Sequence, residues 1–131
     1  MAAPYTHMSV LDAEDAAEKF GMSESQESRF LHGDYETEQT GFSFHRYKPG
    51  KRQPFGHRHD EAEEVYFVVS GSGRIKLDDE ILDLRPREAV RVSPGVMRAF
   101  EAGPEGLEIL AFGRRHAQDP GEVVPGWWSE S

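Results

Sequence analysis

The fold of this chain is decided by residues 54–71, which read Pro-Phe-Gly-His-Arg-His-Asp-Glu-Ala-Glu-Glu-Val-Tyr-Phe-Val-Val-Ser-Gly. His57 and His59 are two residues apart, so both imidazoles project from the same face if this stretch is an extended strand. Four residues separate His59 from Glu64, which is enough to turn the chain and bring a carboxylate back on a neighbouring strand. Two imidazoles and one carboxylate then converge, and divalent transition metals favour this set of ligands.

Short apolar runs with turn residues between them surround this stretch and predict an all-β fold. Ahead of them we predict a helix with Asp12 as its N-cap and Gly21 as its end, followed by a loop over residues 22–29. Hydrophobicity then alternates with a period of two, which is typical of strands. The predicted strands span residues 41–47, 55–59, 63–70, 74–77, 80–84, 89–92, 97–101 and 107–112, with turns that include residues 71–73 and 103–104. About eight short strands separated by turns describe a β-sandwich or a small barrel.

The composition limits the classes of function. A chain of 131 residues with 37% hydrophobic residues is long enough for one folded domain. Its formal net charge of −9 repels phosphate backbones and anionic lipids, so we expect no nucleic-acid or membrane partner. Cysteine is absent, so a metal would need nitrogen and oxygen ligands. Residues 1–20 show no signal-peptide pattern and no apolar run is long enough to span a membrane, so we expect a cytoplasmic protein.

The histidine stretch resembles the first motif of the cupin family, which is a glycine, His-x-His, a short spacer, a glutamate, six residues and a glycine, although the leading glycine is displaced here to Gly50. This motif is matched by His57, His59, Glu64 and Gly71. The second cupin motif is matched in part, because the Pro94-Gly95 turn is present but Arg98 stands where the family has a histidine that serves as the fourth metal ligand. The resemblance covers about residues 40–113. It implies a cupin double-stranded β-helix, which is a jelly-roll barrel.

On this basis the chain divides into three parts. Residues 1–40 form an N-terminal arm with the short helix, residues 41–113 form the barrel, and residues 114–131 form a C-terminal tail. Trp127 and Trp128 interrupt an otherwise polar tail. Adjacent tryptophans seldom remain in water, so we expect them to pack on the barrel or on a partner chain.

Two arrangements of the site are open at this stage. In the first, His57, His59 and Glu64 hold a divalent ion of iron, manganese, nickel or zinc, and Arg98 pairs with an anionic substrate through its planar guanidinium. In the second, Arg98 forms an ion pair with Glu64 itself and excludes the metal. Either arrangement provides the positive partner that a buried carboxylate requires. Tyr66 would point into the barrel beside Glu64, as a cavity-wall residue and a candidate catalytic residue.

Other polar residues near this stretch have weaker signals. His45 lies on a predicted strand whose facing the pattern does not fix, and a structural role is favoured for it. Glu63 would replace Glu64 as a ligand if the spacer were one residue shorter, although a solvated loop charge is the favoured interpretation.

The resemblance implies a metal-dependent cupin enzyme, such as an oxygenase or isomerase, that acts on a small anionic metabolite. Arg98 is then the candidate substrate clamp. The alternative is a cupin that binds a small molecule without catalysis, with the Glu64–Arg98 pair in place of a metal. Members of the family commonly pair through a sheet face, so we expect a homodimer. The residues predicted to face outward after Glu64 are consistent with that pairing, and they are Val65, Phe67 and Val69.

Overall fold

The structure is a computed structural model that describes residues 3–115, 119 and 121–129. The described helices are a 3-10 helix at Val10–Asp12 and an α-helix, α1, at Ala16–Lys19. Neither of them is long and apolar enough to cross a lipid bilayer. The described strands are β1 (Gln26–Phe30), β2 (Thr40–Tyr47), β3 (Phe55–Arg58), β4 (Glu64–Leu77), β5 (Glu80–Leu84), β6 (Ala89–Val92), β7 (Arg98–Arg114) and β8 (Glu122–Pro125).

These strands form one antiparallel sheet that curls into a barrel. The sheet order is β1-β2-β7-β3-β8, and β4 pairs with β5, β6 and β7. The largest core cluster lies inside and includes Tyr47, Tyr66, Val68, Ile75, Phe100, Leu107 and Ile109. Burying each such side chain stabilises the fold by about 1.5–3 kcal/mol relative to leaving it in water. The all-β barrel predicted from the sequence is confirmed.

β4 and β7 are the longest strands and pair with each other along most of their length. Their register shifts near residues 68–73. Gly71 lies at this shift with a φ of 77°, and a Cβ atom there would lie 2.0 Å from the carbonyl oxygen of Gly106. The predicted turns at residues 71–73 and 103–104 are wrong, because both segments lie within continuous strands. Glycine at this point lets the two paired strands bend together and does not reverse the chain.

Alternate residues of β4 face opposite sides of the sheet, as predicted. Tyr66 and Val68 are buried in the core, whereas Val65 and Val69 are exposed. Glu64 therefore points to the same side of the sheet as Tyr66.

The prediction of a loop over residues 22–29 is wrong at its C-terminal end. Gln26–Phe30 form β1 and pair with β2. Gln26 and Ser28 are buried although they are polar. Hydrophobicity therefore carries no signal for this strand.

The N-terminal helix is shorter than predicted. It spans Ala16–Lys19, and Asp15 rather than Asp12 is its N-cap. The Asp15 carboxylate accepts hydrogen bonds from the N–H groups of Ala17 at 3.0 Å and Ser28 at 2.9 Å. One side chain thus starts the helix and ties it to β1.

The described part of the C-terminal tail packs on the barrel, as expected for its two tryptophans. Trp128 is 3% exposed, and the guanidinium carbon of Arg52 lies 4.5 Å from its ring centroid. Trp127 covers Gly56, where a Cβ atom would come within 2.6 Å of the indole. β8 pairs with β3, so the tail also holds the strand that carries His57. β1 and β8 lie outside residues 41–113, and the three-part division of the chain stays a prediction.

Candidate metal centre

His57, His59 and Glu64, which we call the triad, converge where β3 ends and β4 begins. The Nε2 atoms of His59 and His57 lie 3.3 Å and 3.8 Å from Oε1 of Glu64. One donor atom from each residue lies within 4.8 Å of the other two. Metal–ligand bonds of about 2.1 Å place neighbouring donor atoms about 3–3.5 Å apart. The three side chains therefore fit a divalent metal ion after a small closure.

A carboxylate of the tail fixes the loop between His59 and Glu64. Asp119 accepts hydrogen bonds of 2.7, 3.0 and 2.8 Å from the backbone N–H groups of Asp60, Glu61 and Ala62. On the other side, the N–H of Gly95 donates to the carbonyl oxygen of His59 at 2.8 Å. The Pro94-Gly95 turn predicted from the sequence is present and so supports the second histidine.

The charge states of the triad suit metal binding. Burial raises the pKa of Glu64, but contacts with His57 and His59 and a hydrogen bond donated by Tyr66 to Oε1 hold that pKa well below its usual range. Burial lowers the pKa of His57 more than the neighbouring carboxylate raises it. Burial also raises the pKa of the Tyr66 hydroxyl, which therefore keeps its proton. At neutral pH the site holds a carboxylate anion and a neutral His57 imidazole, which are the forms that bind a metal.

A cavity of about 420 Å³ is lined by the triad. This volume is in the range of small-molecule sites. The rest of the wall contains both polar and aromatic side chains, and the aromatic ones include Phe20, Phe30, Tyr47, Phe55 and Phe100. Tyr66 also lines the cavity, with its ring centroid 4.9 Å from that of Phe100. The position predicted for Tyr66 beside Glu64 is therefore the one observed.

Arg98 is completely buried and does not form the ion pair with Glu64 that was one of the two arrangements open from the sequence. It is 0% exposed, and its three guanidinium nitrogens have no hydrogen-bond partner among the described residues. The Glu64–Arg98 pair is not formed, and Oε1 of Glu64 instead contacts the two histidines and the Tyr66 hydroxyl. Within the described part of the chain, Arg98 is also not among the cavity-lining residues. Its role as a substrate clamp stays a prediction, and this arrangement does not support it.

The charge of Arg98 nevertheless reaches the triad. Its guanidinium carbon lies 6.0 Å from the ring centroid of Tyr66. Burial is the main reason that the pKa of His57 is low, and the positive charge of Arg98 adds to the effect. A cation at this position opposes the binding of a second cation, unless an anion accompanies it.

A second polar cluster lies in the same cavity, and the sequence analysis missed it. The hydroxyl oxygens of Ser28 and Ser43 lie 2.8 Å from Nδ1 and Nε2 of His45, and Gln26 Nε2 donates to the Ser28 hydroxyl at 2.8 Å. These four residues, which we call the polar row, all line the cavity. Burial lowers the pKa of His45 to about 4, so its ring is neutral at physiological pH. The available signal was the spacing of two between Gln26 and Ser28 and between Ser43 and His45, which puts each pair on one face of a strand.

Comparison with known protein families agrees with this architecture. The family model described as "Cupin domain" matches residues 43–112. No curated protein matches the chain in sequence.

Solved structures with a similar fold are numerous. A cupin protein from Bacteroides fragilis is 25% identical with a TM-score of 0.70, and the match covers 92% of each chain. The polyketide cyclase RemF from Streptomyces resistomycificus is 18% identical with a TM-score of 0.72, covering 95% of this chain and 87% of that one. A sugar phosphate isomerase of the cupin superfamily from Silicibacter pomeroyi is 17% identical with a TM-score of 0.64, covering 78% and 77%. The last two show a shared fold alone. Because the family model covers more than half of the 131 residues, this chain belongs to the cupin family.

Proposed function

We propose that this cupin is a metal-dependent enzyme that acts on a small molecule bound in the cavity. One observation carries the proposal: a carboxylate and two imidazoles in the cavity wall offer donor atoms within 4.8 Å of one another. Two histidines and one carboxylate leave coordination positions open for a substrate. Iron, manganese, nickel and zinc all accept nitrogen and oxygen ligands of this kind, and they are the candidate ions.

Each residue of the site has a distinct task in this proposal. A bound divalent ion would supply Lewis acidity at a substrate oxygen. His57 and His59 would provide nitrogen donors, and Glu64 would provide the single negative charge. Tyr66 orients the Glu64 carboxylate through its hydrogen bond and keeps a proton beside the site. The aromatic wall limits the access of water to the bound substrate.

The balance of charge supports an anionic substrate. A divalent ion and Arg98 would together outweigh Glu64 by about two positive charges. An anionic oxygen of the substrate at the metal would reduce this surplus. We therefore favour a small anionic metabolite as substrate and an oxygenase or isomerase as the class of enzyme.

A cupin that binds a small molecule without catalysis is the second candidate. The buried guanidinium of Arg98 favours it, because its nitrogens have no hydrogen-bond partner among the described residues and its charge opposes a metal ion nearby. The same cavity would then serve as a binding site only.

In either case we propose a homodimer that pairs through the face carrying the exposed Val65 and Val69.

The experiment that tests the proposal is elemental analysis of the purified protein after incubation with iron, manganese, nickel or zinc. We expect about one equivalent of metal per chain in the wild type. Glu64→Gln keeps the size of the side chain but removes the charge, so its metal content should fall close to zero. Glu63→Gln is the matched control, because Glu63 is an exposed neighbour that pairs with Arg91 at 3.2 Å.

Two results would contradict the proposal. If the wild type takes up none of the four ions, the second candidate function replaces the first. If Glu64→Gln binds as much metal as the wild type, the metal site lies elsewhere.

A further inference from the structure

The polar row joins the inner faces of β1 and β2. Ser28 is the register partner of His45, and Gln26 and Ser43 lie two residues from them on the same sides of their strands. The four side chains form one continuous chain of hydrogen bonds, each 2.8 Å long, from Gln26 through Ser28 and His45 to Ser43. The row is therefore a defined part of the sheet, in which hydrogen bonds hold each side chain in place.

Counting hydrogens shows that the row does not satisfy itself. A neutral imidazole has one donor nitrogen and one acceptor nitrogen. If Nε2 of His45 carries the proton, Ser28 donates to Nδ1 and the hydroxyl hydrogen of Ser43 is left over. If Nδ1 carries it, the hydroxyl hydrogen of Ser28 is left over. In both tautomers the hydrogen bonds among the described residues leave one hydroxyl donor without an acceptor.

The other end of the row lacks a donor. Gln26 is only 2% exposed, and its buried Oε1 has no hydrogen-bond partner among the described residues. Buried carbonyl oxygens are nearly always paired, and exceptions call for an explanation. The row thus leaves one acceptor and one hydroxyl donor unpaired, together with the second N–H of the Gln26 amide.

The surroundings of the row are apolar and aromatic. The ring of Phe30 packs edge-on against His45 with centroids 5.7 Å apart, and the ring of Tyr47 stacks on it at 6.3 Å. Two of the described arginines line the cavity: Arg58 is held by Asp60 and Glu122, and Arg114 is exposed at the end of β7, opposite Thr40. A carboxylate or phosphate at the row would therefore face the unpaired carbonyl oxygen of Gln26, and no member of the row carries a positive charge to pair with it.

We infer that the polar row is a second recognition subsite, which binds a neutral hydroxyl group of a ligand with an aromatic body. When the His45 proton is on Nδ1, Ser43 donates to Nε2 and the spare hydrogen is that of Ser28, which is next to Gln26 in the row. One ligand hydroxyl can then donate to the Gln26 carbonyl and accept the Ser28 hydrogen. The aromatic wall accommodates the rings. This inference rests on the proposed function only in placing the anionic end of the same ligand at the triad, because the row itself needs no metal.

Binding of three related probes tests this subsite. The probes are 6-hydroxy-2-naphthoate, its 6-methoxy ether and 2-naphthoate, and their own fluorescence reports binding. We expect the hydroxy compound to bind the wild type about tenfold more tightly than 2-naphthoate, since this is the usual gain from a hydrogen bond to a buried group. The ether accepts but cannot donate, so it should bind no more tightly than 2-naphthoate.

Variants then test whether the preference for the hydroxy compound depends on the polar row. In Gln26→Leu the advantage of the hydroxy compound should shrink to about twofold or less. Gln39→Leu is the matched control, because Gln39 is exposed and is not among the residues that line this cavity, and it should keep the full advantage. If Gln26→Leu does not fold, as judged by circular dichroism, Ser43→Ala replaces it and should likewise reduce the advantage.

The outcomes are separable from those of the metal test. If the hydroxyl preference persists in Glu64→Gln, the subsite stands even where the metal-dependent function fails. Equal binding of the three probes to the wild type, or no binding of any of them, overturns the inference. So does a hydroxyl preference that Gln26→Leu and Ser43→Ala leave intact.

Discussion

The triad and the polar row lie in one cavity, but they are built in opposite ways. The triad comes from residues 57–64, which a single turn of the chain brings together around an ionised carboxylate. The polar row comes from two strands that meet across the sheet, and its members are neutral. A local motif can be seen in the sequence, whereas a cross-strand cluster becomes visible only when the pairing is known. The contrast also separates a centre suited to a cation from a subsite suited to an uncharged group.

The largest expected effect distinguishes the histidines of the triad from His45 of the polar row. His59→Ala removes a proposed ligand and should lower zinc affinity by roughly 100-fold or more, since loss of even an outer contact to a metal site costs about 10- to 100-fold. His45→Gln, in the polar row, should change that affinity by less than about threefold. Titration of the metal-free proteins with zinc measures both. A comparable loss in the two variants would remove the distinction between the sites.

The second effect concerns pH. Burial lowers the pKa of His45 from 6.5 to about 4, so the unfolded state takes up the proton first as the pH falls. The neutral His45 therefore contributes fully to the free energy of unfolding above pH 6.5, and this contribution is lost as the pH falls from there towards 4. We expect the free energy of unfolding to fall by about 2 kcal/mol over this range, which is less than the full pKa shift of His45 implies because its ring borders the cavity.

Denaturant unfolding of metal-free protein between pH 7 and 4 measures this loss. His57 has a lowered pKa of the same sign, so the wild type must be compared with His45→Gln at each pH. The variant should lose less stability over the range than the wild type. Parallel curves would show that His45 is not held neutral in the folded protein.

A smaller effect is expected at Arg98, whose positive charge opposes the metal. Arg98→Met removes this charge and should raise zinc affinity by roughly tenfold, while thermal stability should stay equal or rise because an unpaired buried guanidinium is costly. Arg98→His should also tighten binding if this position corresponds to the fourth cupin ligand. Weaker zinc binding in Arg98→Met would mean that the guanidinium supports the site.

The smallest effect is expected at the loop that joins the two parts of the triad. Asp119→Ala removes the acceptor of three backbone hydrogen bonds from Asp60, Glu61 and Ala62. Zinc affinity should fall by roughly threefold to tenfold, as for other residues that position a ligand. Asp79→Asn, on an exposed turn, is the control and should bind zinc as the wild type does. The hydroxyl preference of the polar row should be the same in both variants.

The sequence predicted some parts of this molecule well because their signals are local. The spacing of His57, His59 and Glu64 is enough to bring the triad together, and the alternation after Glu64 correctly places Tyr66 and Val68 inside. The predicted turn at residues 71–73 fails because glycines that let paired strands bend look the same in a sequence as glycines that reverse a chain.

Other features depend on partners that are far away in the chain. β1 was out of reach because its buried residues are polar: Ser28 bonds to Asp15 of the arm and to His45 of β2, and Gln26 donates to Ser28. The position of Arg98 could not be predicted either, because the contacts of Glu64 Oε1 with His57, His59 and the Tyr66 hydroxyl depend on how the strands are arranged.

The attachment of β3 has a consequence for the order of folding. This strand pairs with β8 at four positions but with β7 only at His57, opposite Arg98. Its main partner, β8, lies more than 60 residues further along the chain, since His57 is opposite Val123. Contacts of such long range form late, because the loop between them must close first. We therefore expect His57 to be fixed late in folding, and detachment of β8 to be a local opening that would release it. Metal bound at the triad would then be lost from the folded protein through this opening, and the amide hydrogens of β3 and β8 would exchange with solvent through the same opening.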